Sequence, residues 1–395
     1  MDNRRSFINS EEVSYVSRQD YSEKIALQRL VQYDIMVRQK DNNIAPISDQ
    51  QRSEILAFWR KKMMWHTDLL NMRYYDVYNA VEKDKSKLKY YIPDSFFYAF
   101  VDEYFTNPQR STALDDKNLY DLYFADVNRP KTIVRKLDDV FQNERYEPIS
   151  IDEFVSRCKE EGEVVVKSAI CSFGGHGVLF WNAKKDSVET LLDFVYRRNA
   201  EFFNGSSVYK QYIVQGLLRQ HPAMAAINPT SVNTVRVMTL FRNGKVLPLS
   251  SVLRMGIGGS RVDNCSSGGI VCGITDDGHL KDVAYDGAAN KFHTHPQGYK
   301  FSGEEVPGFS ECVELAKKLS YRFYGASRLI SWDFAVDEEA HPVLIEMNIS
   351  FGELDFHQLC NGPIFGEDTM EIIGDVLDNN YTYRELNKKK DIEGI

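Results

Sequence analysis

Two carboxylates and one amide near the C-terminal end of the chain have the types and spacing of metal ligands. Residues 330–336 and 343–347 are rich in apolar, β-prone side chains, and the segment between them is acidic turn material. A hairpin centred on that turn places Asp333 opposite Glu346, and the alternation of side chains along a strand puts Asn348 on the same face. Such hard oxygen ligands suit Mg²⁺. The hairpin therefore predicts a magnesium site, with an acidic strand pair that carries one cross-strand repulsion as the alternative.

A glycine-rich loop between two predicted strands is a second candidate. Residues 163–167 read as a buried strand that ends on Lys167, and a loop with Gly174, Gly175 and Gly177 leads into a returning strand. Because glycines let backbone N–H groups approach an anion closely, this hairpin is typical of a flap over an anion, with the lysine as a point charge. No helix follows the glycines and the Walker pattern is absent, so the loop is not a P-loop. The alternative is a flexible glycine turn with a surface lysine.

The pair His293 and His295 invites a zinc interpretation. Two histidines two residues apart on a strand can face one metal ion, but a third ligand at suitable spacing is missing. We therefore interpret this segment as a loop near the substrate. No set of Ser, His and Asp or of Cys and His with the spacing of a nucleophilic site can be read from the sequence.

The elements that must position these side chains fall into a helical N-terminal part and a later part in which strands and helices alternate. In the first part we predict helices over residues 22–40, 53–80 and 94–105, the second of them with Ser53 as its N-cap. Further helices are predicted at 115–124, 150–161, 187–198, 309–324 and 367–377, and strands at 132–137, 163–167, 178–181, 207–215, 232–242, 246–254, 270–275, 279–285, 330–336 and 343–347.

Composition describes an ordinary globular protein with room for two or three domains in its 395 residues. The net charge of −9 argues against a general affinity for nucleic acid. The N-terminus lacks the apolar core of a signal peptide, and no apolar run reaches the roughly 18 residues of a membrane span. The 6 cysteines form no CxxC pair, which is typical of reduced thiols. We expect a cytoplasmic protein without an integral membrane segment.

Taken in order, these pieces resemble the ATP-grasp superfamily from about Asp115 to Leu377. The resemblance implies an α+β fold in which two α+β subdomains grip ATP, preceded by a mainly helical region. The segments that are most similar to the sugar-transfer-associated ATP-grasp group, which is found with enzymes of capsule or surface polysaccharide biosynthesis, are Val232-Asn-Thr-Val-Arg236-Val, Asn264 with Gly268-Gly269, Trp332-Asp333 and Glu346-Met-Asn348.

Together with the helical pattern at the N-terminus and the polar C-terminal tail, the resemblance predicts a division of the chain into four parts. These are an N-terminal helical region (1–110), an ATP-grasp N-terminal subdomain with the glycine flap (111–216), a C-terminal subdomain with the metal site (217–380) and a tail (381–395).

Individual residues take roles from the same resemblance. Lys117, in the pair Asp116-Lys117, and Lys167 match the two lysines that reach the ATP phosphates. The remaining matches are the flap glycines Gly174, Gly175 and Gly177, the adenine-reading hinge Gln215, Gly216, Leu217 and Leu218, His221 where the ribose would lie, and the magnesium ligands Asp333, Glu346 and Asn348. There are two departures: Ser168 stands where a proline is common, and Gln215 stands where an acid is common.

The implied chemistry joins a carboxylate to an amine at the expense of ATP, through an acyl-phosphate, with Mg²⁺ and with Mn²⁺ as an alternative metal. Lys167 and Arg254 would be catalytic, because a lysine and a guanidinium can neutralise a transferring phosphoryl group. Arg236 and Arg261 would bind an anionic substrate, with Asn264 beside them. For each arginine the alternative is a surface or structural ion pair.

Three functions are therefore open. The first is an ATP-dependent ligase for small carboxylate and amine substrates, which could be sugar-linked, in surface or capsular polysaccharide biosynthesis. The second is a kinase on the same scaffold, which would phosphorylate a hydroxyl and release ADP without phosphate. The third is a non-catalytic nucleotide-binding scaffold for a glycosyltransferase of polysaccharide biosynthesis. Complete lysine and metal sets argue against the third, since a silent scaffold need not retain them.

Overall fold

Two antiparallel sheets form the framework of the protein. The computed structural model describes residues 18–63, 66–170, 177–198, 211–263 and 268–385. The strands within these residues are β1 (Thr132–Leu137), β2 (Val140–Gln142), β3 (Pro148–Ile149), β4 (Glu163–Ser168), β5 (Val178–Asn182), β6 (Gln211–Gly216), β7 (Thr234–Arg242), β8 (Lys245–Met255), β9 (Ile270–Ile274), β10 (Leu280–Tyr285), β11 (Lys291–Phe292), β12 (Leu329–Val336) and β13 (Pro342–Asn348). In this described part, the first sheet has the order β3-β2-β1-β6-β4-β5 and the second the order β11-β10-β9-β8-β7-β12-β13.

Helices precede, separate and follow these strands. The longer ones are α1 (Arg18–Met36), α2 (Asp49–Met63), α3 (Arg73–Val81), α4 (Ile151–Glu161), α5 (Phe309–Phe323), α6 (Leu354–Asn361) and α7 (Thr369–Asn379). Shorter helical segments, some of them 3₁₀ or π, are Val37–Asn43, His66–Leu69, Lys85–Tyr90, Asp94–Phe96, Phe97–Val101, Asp102–Phe105, Pro108–Ser111, Thr112–Asp115, Lys117–Leu119, Tyr120–Tyr123, Val188–Asp193, Phe194–Arg198, Pro222–Ile227 and Gly366–Asp368. No helix in the described ranges is long and apolar enough to span a membrane.

The α+β fold class and the helical N-terminal region that the sequence predicts are confirmed. Local signals explain much of this agreement. Ser150 caps α4 by accepting a hydrogen bond from the Glu153 N–H at 3.1 Å. Asn243 and Gly244 both have positive φ, 51° and 75°, as a two-residue turn between twisted strands requires.

The long helix predicted over residues 53–80 is wrong. The chain instead forms α2, a 3₁₀ turn and α3, and Ser53 lies inside α2, where its hydroxyl donates to the Asp49 carbonyl at 2.8 Å. Asn71 shows one reason for the break: its side-chain oxygen accepts the Arg73 N–H at 3.0 Å. A short polar side chain of this kind offers the backbone an alternative to the helical hydrogen-bond ladder.

The second sheet is buried on both faces, which explains why the N-terminal helices fold with it. One face packs against α5 through side chains such as Leu253 and Trp332. The other face contributes Met238 and Val252 to a core shared with the N-terminal helices, α6 and α7. The first sheet has its own smaller core, in which Phe154 of α4 is buried. The N-terminal helical region is therefore part of the hydrophobic core that supports the second sheet.

Candidate functional site

The hairpin of β12 and β13 has the register that the sequence predicts. Asp333 pairs directly with Glu346, and Ser331 pairs with Asn348. Met347 points the other way and is 1% exposed in the core. Side chains alternate across a strand, so the two carboxylates and the amide share one face of the second sheet.

Two arginines neutralise the carboxylate at the centre of this face. Arg236 lies opposite Asp333 on β7 and donates to both of its oxygens, at 2.6 and 2.7 Å. Arg254 of β8 and Asn348 each donate to the second oxygen at 3.2 Å. Asp333, Arg236 and Arg254 are 2–4% exposed. Burial raises the pKa of Asp333, but the charge and hydrogen bonds of Arg236, with Arg254, outweigh it and hold this pKa below its ordinary value.

The second carboxylate pairs with a lysine from the first half of the chain. Lys117 Nζ lies 2.6 Å from Glu346 Oε1, and the lysine is 4% exposed. The backbone N–H of Lys117 donates to the Ala169 carbonyl, just beyond β4, at 2.9 Å. Lys167 is on β4, where burial lowers its pKa, with a further contribution from the charge of Lys117, to about 8. The site thus combines side chains from both sheets.

Two acidic residues that the sequence interpretation missed complete the charged cluster. Glu353, just before α6, shares its Oε2 atom between Arg236 Nη1 and Arg254 Nε, the latter at 3.6 Å. Asp263 has a pKa that burial raises and that the charge of Arg254 lowers in part. Nothing in the sequence around Glu353 and Asp263 distinguishes them from other acids of loops, because their partners lie on distant strands.

A cavity of about 400 Å³ lies between the two sheets, next to this cluster. Its lining brings together Lys167, Arg261 and the hinge residues of the sequence prediction with side chains of β5 and of the loops before β7. The residues of the first sheet and hinge are Val165, Lys167, Val178, Phe180, Gln215, Gly216, Leu217 and Leu218, and the facing residues include Gln220, Thr230, Ser231, Thr234, Arg261, Asp263 and Ile345. Asp263 and Thr234 connect the cavity to the charged cluster, since both line the cavity, Asp263 interacts with the charge of Arg254, and Thr234 pairs with Arg254.

Arg261 closes one side of the cavity. Its guanidinium lies 4.0 Å from the centre of the Phe180 ring on β5. This cation–π contact links the loop after β8 to the first sheet. His221, by contrast, is not among the lining residues: it caps the helix Pro222–Ile227, with its Nδ1 atom accepting the Ala223 N–H at 3.2 Å. Its predicted position beside a ribose stays a prediction.

Some of the predicted site residues lie outside the described ranges. These are Gly174, Gly175 and Asn264. Gly177, which directly precedes β5, has a φ of 72° and lies at the returning end of the predicted flap. The pairing of β4 with β5 brings Lys167 opposite Val178, so the two strands form the antiparallel hairpin that the sequence predicts.

His295 has a structural position that agrees with the loop interpretation. It is 1% exposed, its Nε2 atom lies 2.9 Å from the Gly256 carbonyl, and its Nδ1 atom accepts the Gln297 N–H at 3.3 Å. It therefore anchors the start of the loop that carries Arg261. Within the described part of the chain, no group of three His, Cys, Asp or Glu side chains is arranged to hold a metal ion by itself.

The donor set of β12 and β13 fits Mg²⁺ only with the amide of Asn348 included. Glu346 uses Oε1 for Lys117, and its side chain is 24% exposed, so this carboxylate can reach a ligand in the cleft. Asp333 has both oxygens engaged by Arg236. A metal ion could use Glu346 and Asn348 directly. Asp333 would join only if its Oδ2 atom, which accepts from Arg236, Arg254 and Asn348, gave up some of these contacts.

One family match covers most of the chain. Residues 100–372 match the family described as sugar-transfer associated ATP-grasp. No curated protein sequence matches the chain. Among solved structures, D-alanyl-alanine synthetase A from Vibrio cholerae O1 biovar eltor str. N16961 is 14% identical, with 70% of this chain and 67% of that chain covered and a TM-score of 0.41.

The biotin carboxylase–β-γ-ATP complex from Campylobacter jejuni is 13% identical, with 70% of this chain and 49% of that chain covered and a TM-score of 0.45. This chain thus spans about half of the length of that protein. The family match covers well over half of the present sequence, including both sheets and the charged cluster between them. The chain belongs to the sugar-transfer associated ATP-grasp family.

Proposed function

We propose that the protein is an ATP- and Mg²⁺-dependent ligase that joins a small carboxylate to an amine, in the biosynthesis or modification of a surface or capsular polysaccharide. The observation that carries this proposal is the continuity between the cavity and the charged cluster. Lys167 lines the cavity, and Lys117, Glu346 and the arginine pair lie beyond it. A nucleotide base in the cavity would therefore have its phosphates directed at the basic side chains.

The cavity wall supports the assignment of an adenine end. The residues from Gln215 to Leu218 follow or end β6, and apolar side chains such as Val165 and Phe180 face them. The Gly216 N–H is already used by the Lys131 carbonyl at 2.9 Å. Adenine would accordingly be read by the backbone of Leu217 and Leu218. Apolar walls with a few directed polar groups are typical of a small-molecule site.

The basic side chains supply most of what phosphoryl transfer requires, which is positioning and neutralisation of charge. Lys117 and Lys167 would hold the phosphates, with Lys117 turning from Glu346 toward the nucleotide. Bound at Glu346, Asn348 and Asp333, Mg²⁺ would neutralise phosphate oxygens. Arg254 would stabilise the transferring phosphoryl group, and Arg236 and Arg261 would hold the carboxylate substrate.

The reaction would proceed in two balanced steps. A substrate carboxylate oxygen takes the terminal phosphoryl group of ATP, which forms an acyl-phosphate and releases ADP. The amine nitrogen then attacks the acyl carbon, loses a proton and displaces phosphate, so that one C–N bond forms for each ATP consumed. A site closed between two sheets would keep water from the acyl-phosphate.

Release of ADP and phosphate tests this proposal. The protein would be incubated with Mg·ATP and pooled uronic acids, amino acids and nucleotide sugars. We expect equal amounts of ADP and phosphate, and only when both an acid and an amine are supplied. ADP without phosphate, from a single substrate class, would show a kinase. Mg·ADP binding without any product would favour the nucleotide-binding scaffold. Absence of both product and Mg·ADP binding would contradict an ATP-using enzyme.

Lys167 predicts a pH dependence of nucleotide binding. Its pKa of about 8 in the free protein means that it is charged below pH 8 and loses its proton above it. Phosphates bind the charged form and raise its pKa, so affinity falls as the pH rises through 8. We expect the Kd of Mg·ADP to increase about tenfold from pH 7 to pH 9 by calorimetry. Lys167→Arg keeps its charge and should remove the dependence; the same dependence in this variant would contradict the assignment.

A further inference from the structure

The turn after β13 carries two residues in a backbone conformation that L-amino acids rarely adopt. Phe351 and Glu353 have φ of 57° and 59°, and they flank Gly352. A Cβ atom on Gly352 would lie 2.4 Å from Ser331 Oγ on β12, so the turn is packed against the strand that carries Asp333. Strain of this kind persists only where the surrounding structure holds it, and it is concentrated at functional sites.

The strained turn places the Glu353 carboxylate beside Arg236 and Arg254. Its Oε2 atom is within ion-pair distance of Arg236 Nη1 and Arg254 Nε, and its side chain is 31% exposed. Arg236 and Arg254 already share Asp333. A substrate oxyanion added to this pair would put three anions on two guanidinium groups, unless Glu353 moved away. Its partial exposure gives it room to do so.

The N-terminal helices hold the turn in place from the other side. The Tyr98 hydroxyl accepts the Leu354 N–H at 2.9 Å, and its ring stacks on Phe351 with centroids 5.4 Å apart. Arg29 of α1 lies 5.0 Å above the same Phe351 ring and donates to the Tyr98 carbonyl at 2.9 Å. Asp102 accepts a hydrogen bond from the backbone of Phe351. Arg29 and Tyr98 precede the family match, which begins at residue 100.

We propose that Glu353 occupies, in the free protein, the subsite at which Arg236 and Arg254 receive the oxyanion of the substrate, and that the N-terminal helical region holds it there. The ligand class is an oxyanion, either a carboxylate or a phosphate group. This inference rests on the proposed function, which assigns the arginine pair to the acid substrate and its phosphoryl group. The inference adds that substrate binding must displace the Glu353 carboxylate, and that Tyr98 is a positioning residue for Glu353.

Titration of inorganic phosphate and, separately, of acetate into the free protein tests the inference. Glu353→Gln removes the competing charge, and we expect it to bind the probe about tenfold more tightly than the wild type, as when an internal ligand fills the subsite nine-tenths of the time. Tyr98→Phe should shift affinity in the same direction by less. Since Tyr98 acts through Glu353, the double variant should match Glu353→Gln alone. The two probes show whether the subsite prefers phosphate or carboxylate.

Tyr75→Phe is the matched control. Tyr75 is buried in the same helical region, and its hydroxyl donates to the Tyr91 carbonyl at 3.1 Å, away from the turn. It should leave affinity for both probes unchanged. Adding Arg254→Ala to Glu353→Gln should abolish the gain, which places the bound anion at the arginine pair.

Equal affinity of Glu353→Gln and the wild type for both probes would overturn the inference. Equal affinity of Tyr98→Phe and Tyr75→Phe for the probes would overturn the inference that the N-terminal region holds Glu353 at the arginines. This comparison is informative even if Glu353→Gln fails to fold. Mg·ADP binding is measured separately on each protein. If the affinity for the anions changes as expected but no protein binds Mg·ADP, the proposed ligase is refuted and the subsite inference stands. If Mg·ADP binds but the affinity for the anions does not change, the subsite inference is refuted and the proposed ligase stands.

Discussion

Replacement of Asp333 by asparagine is expected to lower the free energy of unfolding by about 3–5 kcal/mol, since it removes one partner of a buried ion pair. Asp333 is 2% exposed and joins Arg236 through both oxygens, with Arg254 beside them. An amide offers one acceptor atom and no charge, so the two buried guanidinium groups keep an uncompensated charge. Urea denaturation at pH 7 measures the loss.

The surface pair of Asp126 and Arg322 provides a control that is also bidentate, through both Nη atoms of the arginine. Its two contacts are 2.8 and 2.7 Å, but both side chains are exposed to solvent. Asp126→Asn should therefore change stability little, because exposed ion pairs are screened by water. Similar losses in Asp126→Asn and Asp333→Asn would contradict our view that burial makes the Asp333 cluster essential.

The pH dependence of the Asp333 effect follows from its depressed pKa. The stabilisation is fully present above the pKa of an unfolded aspartate, about 3.9, and is lost as the pH falls through the lower folded value. The difference in the free energy of unfolding between the wild type and Asp333→Asn should therefore be constant from pH 5 to pH 7, and it should become smaller in stronger acid.

Glu346→Gln is expected to reduce ATP turnover by about 10²- to 10³-fold, which is typical when a preorganised electrostatic contact is lost at a reacting phosphate. Glutamine has the shape of glutamate and can still accept a hydrogen bond from Lys117, so we expect the fold to survive. It cannot offset the positive charges of Lys117 and Lys167, and it is a weaker ligand for Mg²⁺. The charge of Glu346 raises the pKa of Lys167. Glu346→Gln should therefore also lower the pH at which affinity for Mg·ADP begins to fall, to a value below 8.

Glu371→Gln is the control for this change. Glu371, which is exposed, forms an ion pair at 2.6 Å with Arg242, the last residue of β7, whereas Arg236 of the charged cluster lies near the start of that strand. It should retain wild-type release of ADP and phosphate. Wild-type turnover and unchanged Mg²⁺ dependence in Glu346→Gln would show that the β12–β13 hairpin does not contain the metal site.

The sequence by itself determined the features that depend on neighbouring residues. Alternation along β12 and β13, with an acidic turn between them, was sufficient to place Asp333 opposite Glu346. The Asn243-Gly244 turn and the Ser150 cap were likewise readable, because turn and cap geometry depends on a few adjacent side chains. The order of these elements was also enough for the resemblance to a family that the match over residues 100–372 confirms.

Only the tertiary structure decided which residues that are distant in the sequence form ion pairs. Lys117 and Glu346 are 229 positions apart in the sequence. Their ion pair exists because the segment of Lys117 contacts both sheets: the Lys117 N–H donates to the Ala169 carbonyl, and the Tyr120 hydroxyl accepts the Met347 N–H. Glu353 could not be identified in advance, since its role depends on Arg236 and Arg254 from other strands. The core shared by the N-terminal helices and the second sheet was equally hidden. Periodicity predicts which face of an element is apolar, whereas packing between elements decides what that face meets.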